Sequence, residues 1–196
     1  RGLGDVYKRQ AARKMVGKRH EYKDLSQMSE QEINRYISGD AFEAAQEVVN
    51  SGDIERAAET GTFKGMPLTE RQTAVIAAIN KATDANSPQR KLLQSFWGAE
   101  SNFGKDLVSS TNAQGDFQFT QTTFADQIQR FGKGIITNLK DAGYTVEAAK
   151  LEHMVDKEKV GANKTIHEDF LALRKDPVIA TFAAKSLMDE YAEIAE

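Results

Sequence analysis

Residues 87–104 read SPQRKLLQSFWGAESNFG, and this stretch predicts a helix with a defined start and an unusual face. Ser87 is a favourable N-cap and Pro88 suits the first helical position, so the helix begins there. Four residues then recur at i, i+3, i+4 and i+7, the spacing that places side chains on one helix face. Three of them are large and apolar and the last is acidic: Leu93, Phe96, Trp97 and Glu100.

Glu100 is the unusual member of this face, because glutamate is rarely buried without a partner. Desolvation next to Trp97 and Phe96 would raise the pKa of its carboxyl group, since the charged form loses water. A raised glutamate pKa suits a general acid near neutral pH. The alternative is structural: the helix ends near Glu100, and a glutamate at a helix end can reach water.

An ordered set of residues follows Glu100 at fixed spacing. Its members are Ser101, Phe103, Val108-Ser109, Ala113-Gln114-Gly115, the DFQF element from Asp116 to Phe119, and Thr123. From Glu100 to Phe119 this set resembles, without a gap, the lytic transglycosylase family of the lysozyme superfamily. The Phe-Gln-Phe element is closer to the phage branch of that family, and the helix predicted from Asp176-Pro177 resembles a later element of the same branch.

The resemblance implies a lysozyme-like helical fold and a peptidoglycan substrate, cleaved at the β-1,4 bond between N-acetylmuramic acid and N-acetylglucosamine. It implies that Glu100 protonates the leaving oxygen and then acts as base on the C6 hydroxyl of the muramic acid. The product would be a 1,6-anhydro end, so the enzyme would be a lyase that needs no second carboxylate, unlike ordinary glycosidases. No cofactor and no metal ion are implied.

The resemblance also implies a substrate-binding set around Glu100. Ser101 would fix the loop or the glutamate, Gln118 would line the cleft, and Gly115 would let backbone approach closely at a tight turn. Phe117 and Ser109 complete the set. Each of the first three has a structural alternative: Ser101 as a cap on the chain reversal, Gln118 as an exposed residue on an extended segment, and Gly115 as an ordinary turn glycine.

Asp116 departs from the family, which usually has an apolar or small residue there. If it faced the cleft, it would supply the second carboxylate of an inverting or retaining hydrolase. Asp106 is a weaker candidate for that role. The interpretation we favour for Asp116 is a local Asx-turn or helix cap.

The rest of the chain predicts an all-α protein, with one short strand possible near Asp116–Thr120. Capping boxes are predicted at Thr69 with Gln72 and at Thr165 with Glu168. The other predicted helices cover Leu25–Tyr36, Ala41–Val49, Thr120–Phe131 (ended by Gly132 and Gly134) and Val146–Val155, and Gly61–Pro67 is predicted as a linker or loop. We divide the chain into a non-native end at 1–10, which resembles translated adapter sequence, a helical segment of unknown role at 11–62, and a lysozyme-like catalytic domain at 63–196.

The C-terminal part lacks one expected feature. The family usually has a tyrosine near the end of the domain that reaches the glutamate, and neither Tyr144 nor Tyr191 is a convincing counterpart. The last helix also has no C-cap before Glu196. We therefore expect the domain to be truncated at its C-terminus.

Composition narrows the possible partners and compartments. The 196 residues carry a net charge of −3 and no cysteine, which excludes a global basic field for nucleic acid, disulfides and thiolate metal sites. No apolar run approaches the length of a membrane span and no signal peptide is visible. His20, His153 and His167 form no recognisable metal pattern. We expect a protein made in the host cytoplasm that acts on cell-wall glycan strands as a phage endolysin or in a virion, with other virion or lysis proteins as possible partners.

Two other functions are compatible with the same residues. One is a two-carboxylate muramidase hydrolase that uses Asp116. The other is a non-catalytic virion structural protein with a lysozyme-like fold, since a fold alone does not establish activity.

Overall fold

Eight α-helices account for 74% of the residues that the computed structural model describes, which are 39–108, 112–159 and 164–195. The helices are α1 (Gly39–Asn50), α2 (Asp53–Thr60), α3 (Glu70–Ala82), α4 (Pro88–Ser101), α5 (Gln121–Asp141), α6 (Thr145–Lys159), α7 (Lys164–Ala172) and α8 (Pro177–Ala195). A 3₁₀ turn, Leu173–Lys175, joins α7 to α8. The predicted all-α class is confirmed for these residues, while the helix predicted over Leu25–Tyr36 and the end at 1–10 lie outside them.

Three helix starts that we predicted from capping residues are present. At α3 the capping box is complete: the Gln72 amide donates to Thr69 Oγ1 (3.1 Å), and the Thr69 amide donates to Gln72 Oε1 (3.0 Å). At α4, Ser87 Oγ accepts from the Arg90 amide (3.1 Å), with Pro88 in the first turn. At α8, Asp176 Oδ1 accepts two backbone amides, each at 3.0 Å. These starts are encoded locally, which is why sequence alone predicts them.

The predicted end of α5 was wrong. Gly132 and Gly134 do not terminate the helix, which continues to Asp141. A glycine costs a helix only about 1 kcal/mol relative to alanine. The later turns bury Ile135 and Leu139 in the core, and burial of one such side chain stabilises by about 1.5–3 kcal/mol. Burial therefore outweighs the two glycines.

The segment predicted as a linker, Gly61–Pro67, is a small antiparallel hairpin. Strand β1 (Thr62–Phe63) pairs with β2 (Met66–Pro67), with Phe63 opposite Met66. Lys64 and Gly65, the two residues between the strands, both have positive φ angles, 49° and 77°, as a type I′ turn requires. Phe63 packs edge-on against Phe103, with ring centroids 5.3 Å apart. The hairpin is thus part of the packed structure.

The short strand considered near Asp116–Thr120 does not form. Instead, residues 115–118 make a turn, closed by a single bridge between Gln114 and Phe119. Gln114 makes a second isolated bridge with Val108. These bridges fold the segment into a tight loop that returns towards the end of α4.

One continuous core unites the described helices. Helix α8 lies at its centre and packs against α3 and α5; most of its residues between Val178 and Tyr191 are buried, whereas Asp189 is exposed. Helix α1 packs against α4, where Phe42 and Phe96 have ring centroids 5.8 Å apart. Residues 39–60 therefore share the core of the segment that we assigned to 63–196.

Candidate functional site

Glu100 lies in the last turn of α4, one residue before the helix ends at Ser101. The three apolar residues predicted to share its face are buried, with Leu93 0%, Phe96 1% and Trp97 1% exposed. Glu100 itself is partly buried. Glu100 thus lies at the edge of an apolar core, where the helix ends and the loop begins. Its role as an acid stays a prediction.

The chain reverses sharply after Glu100. Asn102, Phe103 and Gly104 adopt positive φ angles of 50°, 57° and 84° in succession. Glycine and asparagine adopt this left-handed region readily, but it costs another L-residue about 1–2 kcal/mol, so Phe103 is the strained member of the three. Backbone strain of this kind persists only where the surroundings impose it.

Ser101 and Gln72 impose this reversal through hydrogen bonds. The buried Ser101 hydroxyl donates to the Trp97 carbonyl (3.2 Å) and accepts from the Gly104 amide (2.9 Å). Gln72 Nε2, from α3, donates to the Phe103 carbonyl (3.0 Å). Ser101 therefore fixes the loop after α4, as both interpretations of this residue anticipated.

Gly115 allows the loop at 112–119 to pass directly beside another backbone segment. Its φ is +86°, and a Cβ placed there would lie 2.0 Å from the carbonyl oxygen of Arg174. The Gly115 amide also donates to the Leu107 carbonyl (2.9 Å). The backbone that Gly115 approaches closely is the 3₁₀ turn before α8, and a substrate-binding role for Gly115 stays a prediction.

Gln118 is 5% exposed and has a positive φ of 49°, so the alternative that made it an exposed residue on an extended segment was wrong. Its Nε2 donates to the carbonyls of Leu107 and Gly115, each at 2.8 Å. The buried side-chain amide of Gln118 therefore connects the backbone at Leu107 to the backbone at Gly115. Contact between Gln118 and a sugar stays a prediction.

Phe117 and Phe119 are core residues, 0% and 1% exposed. Phe119 packs edge-on against Phe124 at the start of α5, with ring centroids 5.7 Å apart. A ring that is fully buried cannot contact a glycan strand, so the structure does not favour a substrate-binding role for Phe117. Ser109, the remaining member of the predicted set, lies outside the described residues.

Asp116 is neither an Asx-turn cap nor a carboxylate that faces solvent. It is 0% exposed, and its two oxygens have separate partners. Oδ1 accepts from the Trp97 indole Nε1 (3.1 Å), and Oδ2 accepts from Arg71 Nη1 (2.7 Å). A second catalytic carboxylate must reach the substrate or its water, which a fully buried, ion-paired group cannot do. Asp106, the weaker candidate, is exposed.

Sequence analysis missed the two arginines that hold this loop. Arg71, on α3, bridges Asp116 to the Lys175 carbonyl, with both contacts at 2.7 Å. Arg174 is 3% exposed, and its Nη1 donates to the Phe119 (3.1 Å) and Asn112 (3.2 Å) carbonyls. Burial lowers the pKa of the Arg174 guanidinium from its usual value. The loop residues that Arg71 and Arg174 bind lie at least 45 residues away from them in the sequence, so no local pattern indicates these contacts.

Tyr144 and Tyr191, the two tyrosines compared with the family's tyrosine, both pack within the protein. Tyr191 is 1% exposed within α8. Tyr144 packs edge-on against Phe182, with ring centroids 5.7 Å apart. Burial, and then the nearby charge of Glu147, raise the pKa of the Tyr144 phenol.

Two surface cavities lie along α5, away from the predicted site. One, of about 570 Å³, is bounded by α3, α5 and α8, and the other, of about 680 Å³, by α5, α6 and α7. Glu100, Ser101 and Gln118 line neither of them.

In 39–108, 112–159 and 164–195, no cluster of three or more His, Asp or Glu side chains is arranged to hold a metal ion. His167 Nδ1 instead lies 2.6 Å from Glu158 Oε1. Within the same ranges, none of the helices has both the length and the apolar character needed to cross a membrane.

Comparisons with protein-family models, curated proteins and solved structures found no match. Any function must therefore be argued from the site itself. Glu100 is a partly buried acidic residue at the C-terminal end of α4, followed by a reversal and a loop that are held by several hydrogen bonds. Such a group can transfer a proton to and from a bound molecule.

Proposed function

We propose that this protein is a peptidoglycan lytic transglycosylase with a lysozyme-like fold, a phage endolysin or a virion-associated enzyme that acts on the cell wall. The observation that carries the proposal is the position of Glu100. It is the only acidic member of a face otherwise formed by buried Leu93, Phe96 and Trp97, and it directly precedes a strained chain reversal.

Fixed geometry around Glu100 supports a catalytic role. A general acid must be held within hydrogen-bond reach of the atom that it protonates, and small displacements are costly. The helix before Glu100 is locked into the core by Trp97, and the turn after it is locked by Ser101 and Gln72. The backbone on both sides of Glu100 is therefore held in place, as a general acid requires.

The state of Asp116 favours a reaction that uses one carboxylate. The Glu100 carboxyl group would give its proton to the glycosidic oxygen as the bond from C1 to that oxygen breaks. The Glu100 carboxylate would then accept the proton of the C6 hydroxyl as that oxygen bonds to C1. The product is a 1,6-anhydro ring, and no water molecule and no second carboxylate take part. The two oxygens of Asp116, the stronger candidate for the second carboxylate of a hydrolase, are already engaged in the core.

The test is to incubate purified peptidoglycan with the wild-type chain, with Glu100→Gln and with Glu152→Gln, and to identify released muropeptides by mass spectrometry. Glu152 is an exposed glutamate on α6, so it provides the same chemical change outside the site. We expect anhydro-muropeptides from wild type and Glu152→Gln. Loss of a general acid typically costs 10²–10⁴-fold in rate, so Glu100→Gln should release almost none.

The other outcomes are equally informative. Products with reducing ends that disappear in Glu100→Gln would replace the lyase by a hydrolase. If Glu100→Gln is as active as Glu152→Gln, Glu100 is not the acid. If no variant releases any product, the enzyme proposal fails and the non-catalytic structural function gains support.

A further inference from the structure

The geometry points to Asp116 as a positioning residue whose charge holds Trp97, and through it the end of α4, in the place that Glu100 needs for catalysis. The inference rests on the proposed function for its catalytic part. It differs from the hydrolase alternative, because Asp116 acts here without touching substrate.

Asp116 joins three separate parts of the chain. Its own position is in the loop at 112–119, its Oδ1 accepts from Trp97 on α4 (3.1 Å), and its Oδ2 accepts from Arg71 on α3 (2.7 Å). Arg71 continues the connection to the Lys175 carbonyl in the 3₁₀ turn (2.7 Å). One buried carboxylate thus sets the distance between the loop and two helices.

Trp97 passes this constraint to the Glu100 end of the helix. Its indole is bound to Asp116, and its carbonyl accepts from the Ser101 hydroxyl (3.2 Å). That hydroxyl in turn accepts from the Gly104 amide (2.9 Å). Glu100 lies between Trp97 and Ser101 along the last turn, so a shift of the indole moves the segment that carries the carboxylate.

The charge of Asp116 is required, as well as its shape. A buried carboxylate keeps its charge only when it is paired and hydrogen-bonded, and Arg71 supplies the pair. The Arg71 side chain is 31% exposed and that of Asp116 is 0% exposed, so the carboxylate of this ion pair is buried while the arginine reaches the surface. A neutral amide at position 116 would keep a similar volume but lose the attraction that draws Arg71 and the indole together.

Trp97 is the only tryptophan of the chain, so its fluorescence reports on this contact directly. We would compare wild type, Asp116→Asn, Arg71→Lys and the control Asp189→Asn by circular dichroism, tryptophan emission, and kcat and KM on soluble glycan strands. Asp189 pairs with Lys185 on the surface of α8, so the control removes a carboxylate from an exposed pair. Arg71→Lys keeps the positive charge but replaces the forked donor by a point charge. It tests the same ion pair from the other side, so the inference can still be tested if Asp116→Asn does not fold.

We expect Asp116→Asn to retain helical content and to shift tryptophan emission to shorter wavelength. A negative charge beside the indole nitrogen stabilises the excited state, in which electron density moves away from that nitrogen. We expect kcat to fall by about 10²-fold, the cost of a displacement near 1 Å, while KM changes by less than about twofold. Arg71→Lys should show a smaller fall of the same kind, and Asp189→Asn should match wild type.

The results separate the two proposals. If wild type is active but Asp116→Asn and Arg71→Lys are folded with unchanged emission and kcat, the positioning role is overturned and the proposed function stands. If wild type is inactive, the proposed function fails together with the catalytic part of the inference. The emission spectra would still decide whether Asp116 positions Trp97. A fall in kcat that Asp189→Asn shares would also overturn the positioning role.

Discussion

Gly115→Ala should destabilise this protein far more than a glycine-to-alanine change usually does. The substitution adds one methyl group at a φ of +86°, a conformation that costs an L-residue about 1–2 kcal/mol. The new Cβ would also lie 2.0 Å from the Arg174 carbonyl oxygen and 3.0 Å from its carbonyl carbon. These atoms are backbone, so the loop or the 3₁₀ turn must move, and overpacking of this kind costs about 1–3 kcal/mol. We expect a total loss of about 2–5 kcal/mol in the free energy of unfolding.

Gly143→Ala is the matched control for this prediction. Gly143 has nearly the same φ, +89°, but nothing lies within 4 Å of a Cβ built there. Gly143→Ala should therefore lower the free energy of unfolding only by the cost of the left-handed backbone conformation, about 1–2 kcal/mol. Urea unfolding followed by Trp97 fluorescence measures both variants, and the comparison is valid if the m-values are equal. Equal losses in the two variants would refute the close approach of the loop at 112–119 to the turn before α8.

Three further predictions follow from local features of the fold. Gly134→Ala, within α5 and with nothing within 4 Å of the new Cβ, should stabilise the protein by about 0.5–1 kcal/mol in the same urea assay. A loss of stability there would mean that α5 does not continue through this residue. Thr69→Ala removes one half of the capping box at α3 and should cost about 0.5–2 kcal/mol, whereas Thr62→Ala, on the exposed hairpin strand, should cost less. The raised pKa of Tyr144 means that the folded state holds the phenol proton more tightly than the unfolded state. Its contribution to stability is therefore complete below the unfolded pKa of about 10 and is lost as pH rises through the folded value, so wild type should lose more stability than Tyr144→Phe between about pH 9 and pH 11.

Sequence reasoning succeeded where the physical cause is local. The N-caps at Thr69, Ser87 and Asp176 act within three residues, and the face of α4 follows from helical spacing alone. It failed at the end of α5, because the cost of a helical glycine is small and the gain from burial depends on helices elsewhere in the chain. The hairpin at Gly61–Pro67 was missed for a related reason: its strands are too short to show an alternating pattern.

In the candidate site, too, the features that depend on sequence neighbours could be predicted and those that depend on distant residues could not. The positions of Glu100 and Ser101 at the end of one helix could be predicted, since both depend on neighbours in sequence. The state of Asp116 could not, because its partner Arg71 lies 45 residues away. A carboxylate is a catalytic candidate or a structural anchor according to whether a cation meets it in the fold. Only the three-dimensional structure decides between these two roles.

The same long-range contacts explain why the loop at 112–119 can be both irregular and well defined. The loop has little regular secondary structure, and an isolated segment of this kind would lose conformational entropy of about 1–2 kcal/mol per residue on being fixed. Arg71 and Arg174 offset part of this cost by charge-assisted hydrogen bonds, each worth about 1.5–3 kcal/mol, to a side chain and to backbone carbonyls. Both arginines come from outside the loop, one from α3 and one from the turn before α8. The surroundings of Glu100 are therefore set by parts of the chain that share no motif with it, and substitutions at Arg71 or Arg174 should disturb this site although neither residue belongs to the stretch by which it was first found.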